Sequence, residues 1–529
     1  MNKIIGFLIT KENRSPEVDF FDVGIKTIVV KHGHHNIYLW GIGDIELHKI
    51  NGKYSLSFPL NDGLLDRNIL ISFEGDNIIV ENDWLGSIPV FYNQKENIVS
   101  TLSNFCLRDK KIHEEGLSNF CEFGYSVFEQ TIFADVKFMR YYSTLTISDH
   151  AEIEYKEDPV LDDSFLADVS DENDVIDLMQ KYITDVESVT VGDIVIPTSG
   201  GYDSRMLNHL VKDKKRIRSF TYGVSEDQSQ SHEVAHAKKI SEIYNTKWEQ
   251  IELKEYHKYI DKWYKIYGFS THLHGMYHIE FYKNISKGHD FSGSSFLSGI
   301  IGDAWAELGK FDEIENYHDI INLGYAHGMS LDLKYLNLQS NEKLKKEYYK
   351  RNCEYLKNDK IKSILAMRVK LILLSYLTQI PEYFGMPVWT PFLNFDIVKA
   401  TLNISDERRK NRVWEKDFFA RFGLNLEEMD LKSDKNNDLN YEVARKTRFE
   451  PIDADKMKKY IDENRLVQIN KLLDNTNLYQ SLQNKLLHVP KIRGVLQLCG
   501  VKNKFLRALY DYCVVKAIEK GIKDTQSYT

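Results

Sequence analysis

The stretch from residue 193 to residue 253 constrains the fold most. DIVIPTS is a continuous apolar run of the kind that fills a buried parallel strand, and SGGYDS follows it directly and opens the helix SRMLNHLVKD. RIRSFTYGV reads as a second strand, SHEVAHAKKISEIYN as a helix and KWEQIEL as a third strand. Strand–helix–strand–helix–strand predicts an α/β fold with a doubly wound parallel sheet.

Ser199-Gly200-Gly201-Tyr202-Asp203-Ser204 lies just past the first of those strands, at the amino end of a helix. Two glycines let the backbone turn tightly and approach a phosphate, whose charge the helix amino end favours. The hydroxyls of Ser199 and Ser204 are donors for phosphate oxygens. Asp203 cannot attract phosphate directly, so a bridging Mg²⁺ is its natural partner. On these six residues alone, a plain glycine-rich turn with a capping serine reads equally well.

The rest of the chain divides by periodicity. Residues 1 to about 155 read as strands joined by polar turns: NIYLWGIGDIELHKI, YSLSFPL, NILISFEG, NIIVEND and STLTISD, with one helix in HEEGLSNFCEFG. The acidic segment EDPVLDDSFLADVSDENDV runs into the helix DVIDLMQKYITDVES. Beyond about residue 310 the pattern is mostly helical, ending in FLRALYDYCVVKAIEK. Three parts follow: 1–158, β-rich; 170–440, α/β; and 441–529, a helical extension.

A 529-residue chain exceeds what one core supports. Lys+Arg 69 against Asp+Glu 78 gives a net charge of −9, with no basic surplus to attract nucleic acid or an anionic membrane. Cys106, Cys121, Cys353, Cys499 and Cys513 form no CxxC, which suggests neither a zinc site nor a disulfide framework and fits a reducing cytoplasm. MNKIIGFLIT reads as a first strand rather than a signal sequence, and no apolar run approaches the ~20 residues of a membrane span. The expectation is a cytoplasmic protein.

Further motifs give SGGYDS a context. Leu297-Ser298-Gly299-Ile300-Ile301-Gly302-Asp303 resembles the LSGEGxD segment of asparagine synthetases, and Thr390-Pro391-Phe392-Leu393-Asn394 resembles their VPFLD segment. SGGxDS itself resembles the pyrophosphatase loop of N-type ATP pyrophosphatases, and no Walker GxxxxGK[ST] occurs. In the first part, Asp83 to Tyr92 (DWLGSIPVFY) resembles the family's DRFGIRPLYY, while Phe123-Gly124-Tyr125, Thr131-Ile132-Phe133 and Val136-Lys137 follow the layout of FGYVP…TLFEGIRKL. The resemblance to the asparagine synthetase family thus runs to about residue 435. It implies a synthetase domain of the adenine-nucleotide α-hydrolase-like fold behind a degenerate glutaminase (amino-terminal-nucleophile) sandwich.

The resemblance also implies roles. Ser199, Gly200, Gly201, Asp203 and Ser204 would bind pyrophosphate, with Asp203 and Asp303 holding Mg²⁺; Pro197, Tyr222, Ser298 and Gly299 would line the nucleotide. Lys432 aligns with the lysine that neutralises the adenylate and departing pyrophosphate, with Lys435 as the rival. The implied activity is an AMP-forming carbon–nitrogen ligase that uses ATP to adenylate a small-molecule, peptide or sugar-acid carboxylate and passes the acyl group to an amine.

Three departures qualify this. Asn2 stands where the family has its nucleophilic cysteine, so the chain would have no glutaminase of its own. Ile300 replaces the glutamate that handles the amine, leaving Glu382, Tyr383, a histidine or no base at all. Asn394 replaces the aspartate of PFLD, a modest structural change. Members without the nucleophile include β-lactam synthetases, lasso-peptide cyclases and amidotransferases served by a separate glutaminase. An asparagine synthetase using free or partner-supplied ammonia, and a catalytically reduced nucleotide-binding scaffold, are the alternatives; a homodimer is also open. Finally, His272, His274 and His278 fall within a short span, read as pocket lining or helix surface before metal, with His274 and His278 on one face if the stretch is helical.

Overall fold

The computed structural model describes residues 3–523 except 14, 46–48, 51–52, 56–62, 149, 162–164, 167–168, 310–311, 325–327 and 475–502. Position 2, where Asn2 is read against a nucleophile, lies outside the described residues, as do Cys499 and much of YSLSFPL.

The amino-terminal part holds two antiparallel sheets of six strands each. One runs Lys137–Phe138, Phe91–Asn93, Ile98–Ser100, Lys3–Thr10, His35–Ile42 and Lys26–His32; the other runs Ala151–Tyr155, Ser143–Ile147, Asn77–Asn82, Ile69–Glu74, Lys53–Ser55 and Lys49–Ile50. Their inner faces share one core, in which Phe7, Ile9 and Leu39 meet Ile71, Ile78, Val80 and Leu145. Lys3–Thr10 is buried along its whole length because its outer face, through Ile5 and Leu8, joins a second core with the helices. This accounts for a first strand that reads as a near-continuous apolar run.

The second part is an α/β unit with five parallel strands in the order Lys247–Gln250, Ile217–Thr221, Ile194–Pro197, Ser295–Leu297, Val388–Trp389. In sequence order this is 3-2-1-4-5, so the winding reverses between Ile194–Pro197 and Ser295–Leu297. In open α/β sheets ligands bind outside the carboxyl ends of the strands at such a reversal. SGGYDS leaves one of the two strands and SGIIGD leaves the other.

The carboxyl-terminal helices Leu439–Ala444, Glu463–Asp474 and Lys504–Lys523 do not stand apart. Leu466, Ile469, Phe505 and Val514 lie in the same buried cluster as Ile5, Val195 and Trp263, drawn from the two preceding parts. The stretch Asp359–Tyr383 meets the length and hydropathy of a membrane span, against the sequence expectation that no run does, and 78% of its apolar window is buried inside the protein. That burial accounts for its composition.

Candidate functional site

Ser199 and Ser204 close the glycine loop on itself. The Ser199 N–H donates to Ser204 Oγ at 3.1 Å, and the Gly201 N–H donates to Ser199 Oγ at 3.2 Å. Helix Tyr202–Leu210 starts there, with Gly201 at its amino cap and no side chain capping it. Below the loop, the fully buried Arg205 donates to the carbonyls of Gly200 at 2.8 Å and Leu424 at 2.9 Å, and forks onto Glu427. Charged donors in fixed geometry make this a rigid underside.

Across the sheet reversal, the Asp303 backbone N–H donates to Asp203 Oδ2 at 3.0 Å. Two glycines permit the approach: a Cβ on Gly302 would lie 2.7 Å from Asp203 Cγ, and one on Gly299 3.2 Å from Asp203 Cβ. Ile301, between them, has φ 53°, a left-handed conformation that a β-branched residue adopts only under strain of order 1–3 kcal/mol. Ser298 Oγ accepts the Ile300 N–H at 3.2 Å, and the Ile300 side chain points into the core with Leu297 and Trp305, so this position offers no base.

Four carboxylates gather here around one guanidinium. Arg412 lies 3.5 Å from Glu307, 3.7 Å from Asp203, 3.7 Å from Glu415 and 3.9 Å from Asp303. Burial, reinforced by repulsion from Asp303, holds the Asp203 carboxyl far above the ordinary carboxylate range, with Arg412 opposing. Burial and then Asp203 do the same to Glu415. Asp203 Oδ1 and Glu415 Oε2 are buried with no hydrogen-bond partner. Lys370, on helix Asp359–Leu374, has its ammonium lowered by burial, with Asp303 acting against that shift. Arg412, Glu415, Glu307 and Lys370 belong to no motif in the sequence and were missed there.

Oxygen donors of this kind suit a hard divalent cation. Among the described residues, however, no group of three or more His, Cys, Asp or Glu is spaced to hold a metal as it stands. Asp203 and Asp303 therefore fit a cation that draws its remaining oxygen donors from elsewhere, phosphate among them.

Other expected residues fall around this centre. Pro197 ends the strand that pairs with Phe220, and Tyr222 follows that neighbouring strand, packing against Tyr277 and Phe281. Lys432 is exposed, on a segment whose Ser433 and Asp434 meet His232. Lys435 acts electrostatically on that same histidine. Among the described residues neither lysine pairs with Asp203 or Asp303, whereas the ammonium of Lys370 feels the charge of Asp303.

Two candidate bases are corrected. Glu382 is buried and forks onto Arg67 at 2.9 Å while pairing with Lys3 at 2.7 Å; burial acts to raise its carboxyl, and the two cations outweigh it and hold the group below the usual range. A carboxylate committed to two cations in the core takes no proton from an amine. Tyr383 accepts from Trp40 Nε1 at 3.3 Å, and burial raises its hydroxyl well above the ordinary value. Asn394 caps helix Phe395–Leu402, accepting from Asp396 N–H at 3.1 Å and Ile397 N–H at 3.2 Å. The histidines are core residues: His272, His274 and His278 are all buried. The helix starts only at Met276, so His274 and His278 do not share a helical face, and each ring instead meets Tyr277.

With this geometry in place, comparison with known proteins adds little. No protein-family model matches the chain, and no curated protein matches it. A solved structure it resembles is an NH3-dependent NAD synthetase from Campylobacter jejuni subsp. jejuni NCTC 11168 in complex with the nitrate ion, at 16% identity and a TM-score of 0.21, covering 44% of this chain and 93% of that one. At that level, function is read from the residues of this chain alone.

Proposed function

We propose that the chain is an ATP-dependent ligase that adenylates a carboxylate, releases pyrophosphate and transfers the acyl group to an amine. The observation that carries this reading is the meeting of SGGYDS and SGIIGD at the sheet reversal, with Asp203 bonded to the Asp303 backbone and a buried Asp203 oxygen left without a partner. In the first step a carboxylate oxygen bonds to the α-phosphorus of ATP as the bond to the β-phosphate oxygen breaks. In the second, an amine nitrogen bonds to the acyl carbon, AMP departs and the amine loses a proton.

The glycine loop and helix amino end would orient the phosphates, and Arg205 would keep that loop rigid beneath them. A Mg²⁺ held by Asp203 and Asp303 would neutralise charge on the departing pyrophosphate. Tyr222 would border the nucleotide, backed by Tyr277, whose hydroxyl lies 2.9 Å from that of Tyr376. The test is the product of ATP turnover and ATP–pyrophosphate exchange across a panel of carboxylates with amines. AMP and pyrophosphate are expected; ADP as the main product would overturn the reading, and nucleotide binding without any exchange would favour the scaffold.

A further inference from the structure

The contacts of Arg412 are of an unusual kind. Arg205, nearby, makes a committed fork with Glu427 at 2.8 and 3.1 Å. Arg412 reaches four carboxylates, yet its contacts all lie between 3.5 and 3.9 Å, beyond the range in which a guanidinium forks onto a carboxylate. It is shared among them and bonded to none. Its backbone is also held out of the common regions: Asn411 has φ 53°, ψ 24° and Arg412 φ 55°, ψ 43°. Two successive left-handed residues without glycine are retained only where the surroundings enforce them, and such positions cluster at working sites.

Glu415 follows on the next helix, Val413–Arg421, at 3% exposure, with its Oε2 lacking any hydrogen-bond partner. Asp203 Oδ1 is in the same condition. One guanidinium cannot serve four carboxylates at full strength, and buried oxygens of this kind are satisfied by a cation of higher charge density.

We propose that Arg412 is a tethered cation that competes with a divalent metal ion for Asp203 and Glu415, and that it turns to the phosphate chain once the metal takes those oxygens. Glu415 thereby becomes a third carboxylate donor beside Asp203 and Asp303. The competition stands on the carboxylate geometry alone; the turn toward phosphate rests on the adenylating reading.

The test is Mn²⁺ binding to the full chain without nucleotide, followed by the loss of the free-ion paramagnetic signal. Arg412→Met is expected to bind Mn²⁺ tighter by about fivefold or more, at the lower end of ordinary coupling factors. Arg412→Lys keeps the charge and should stay near the parent, while Glu415→Gln should bind more weakly. In the same Arg412→Met protein, half-saturation by pyrophosphate in the exchange reaction should move to higher concentration. These opposite signs exclude a merely structural role, which would weaken both. Unchanged or weaker Mn²⁺ binding in Arg412→Met, or parent-like binding in Glu415→Gln, overturns the proposal. If Arg412→Met fails to melt cooperatively, Arg412→Lys and Glu415→Gln decide. Absence of exchange in the parent protein would instead overturn the adenylating reading and leave the Mn²⁺ result standing.

Discussion

The backbone N–H of Asp303 donates to Oδ2 of Asp203, 100 positions away in sequence, across the reversal of the parallel sheet. One hydrogen bond therefore registers the two loops against each other. It also leaves the Asp303 carboxylate itself 66% exposed and able to face a ligand.

Asp203→Asn and Asp303→Asn should each lower ATP–pyrophosphate exchange at least about a hundredfold, the loss expected when one anionic contact to a charged transition state is removed. Folding should survive, because Asn keeps the shape and an acceptor oxygen, and relief of repulsion between the two carboxylates offsets part of any cost. Exchange assays beside thermal melts check both. Near-parental exchange in Asp303→Asn would mean that Asp203 has another partner.

Gly302→Ala should be nearly as damaging as Asp203→Asn, since the new methyl would sit 2.7 Å from Asp203 Cγ and 2.9 Å from Phe392. Gly288→Ala, where nothing lies within 4 Å, is the control and should be neutral or stabilising by up to about 1 kcal/mol. Equal exchange rates in the two variants would remove the close-approach argument for the SGIIGD glycines.

Glu382→Gln should destabilise the fold by about 3–5 kcal/mol, because Lys3 and Arg67 would be left as buried charges without their anion. In the protein that still folds, the ratio of amide formed to carboxylate adenylated should match the parent. A selective loss of the amine step, with denaturant stability intact, would restore Glu382 as a base.

What the sequence disclosed and what it hid follow from how local each signal is. SGGYDS, the strand before it and the helix after it lie in one short segment, so propensity and motif agree, and the structure has Ile194–Pro197 and Tyr202–Leu210 there. The Asn394 cap is just as local, reaching residues two and three places on, yet the sequence reading named only a modest change at that position. Arg412 and Glu415 share one helix start and Lys370 comes from another helix, and nothing in RVWEK announces a carboxylate cluster around residue 203. Glu382 misled because its partners, Lys3 and Arg67, sit in the amino-terminal sandwich, and a lone Glu does not declare whether a cation already holds it. Gly275, immediately before Met276, set the late helix start that separates His274 from His278.

His257 should make stability fall in acid. It is buried between Tyr256 and Phe449 with neither ring nitrogen partnered, and burial lowers its imidazole to about 3. The unfolded chain takes up that proton below about pH 6.5, the folded chain not until about 3, so the unfolded state binds more protons between them. The contribution is present above pH 6.5 and is lost as pH falls toward 3, by up to about 2 kcal/mol at pH 5. In urea melts at pH 7 and pH 5, His257→Phe should lose less stability than the parent on acidification. Parallel losses would show that His257 is not the group titrating.

Glutamine should not serve as nitrogen donor. Asn2 has no thiol, and the first cysteine is Cys106, which is fully buried and whose thiol burial pushes up to about 12. Glutamate release above a no-enzyme control would contradict this.

The Lys3 ammonium pairs with Glu382 and also donates at 2.9 Å to the carbonyl of Val388, on the outermost strand of the parallel sheet. The sandwich is thus a foundation of the α/β unit, independent of any chemistry it performs. Whatever keeps Glu382 in the α/β unit also bears on Lys3 and Arg67, so the amino-terminal part stays tied to that unit even if its own site falls silent. For protein engineering the same tie sets a boundary: an α/β unit grafted without its sandwich would carry a stranded carboxylate and an uncovered sheet edge, and would need both repaired before it could be reused elsewhere.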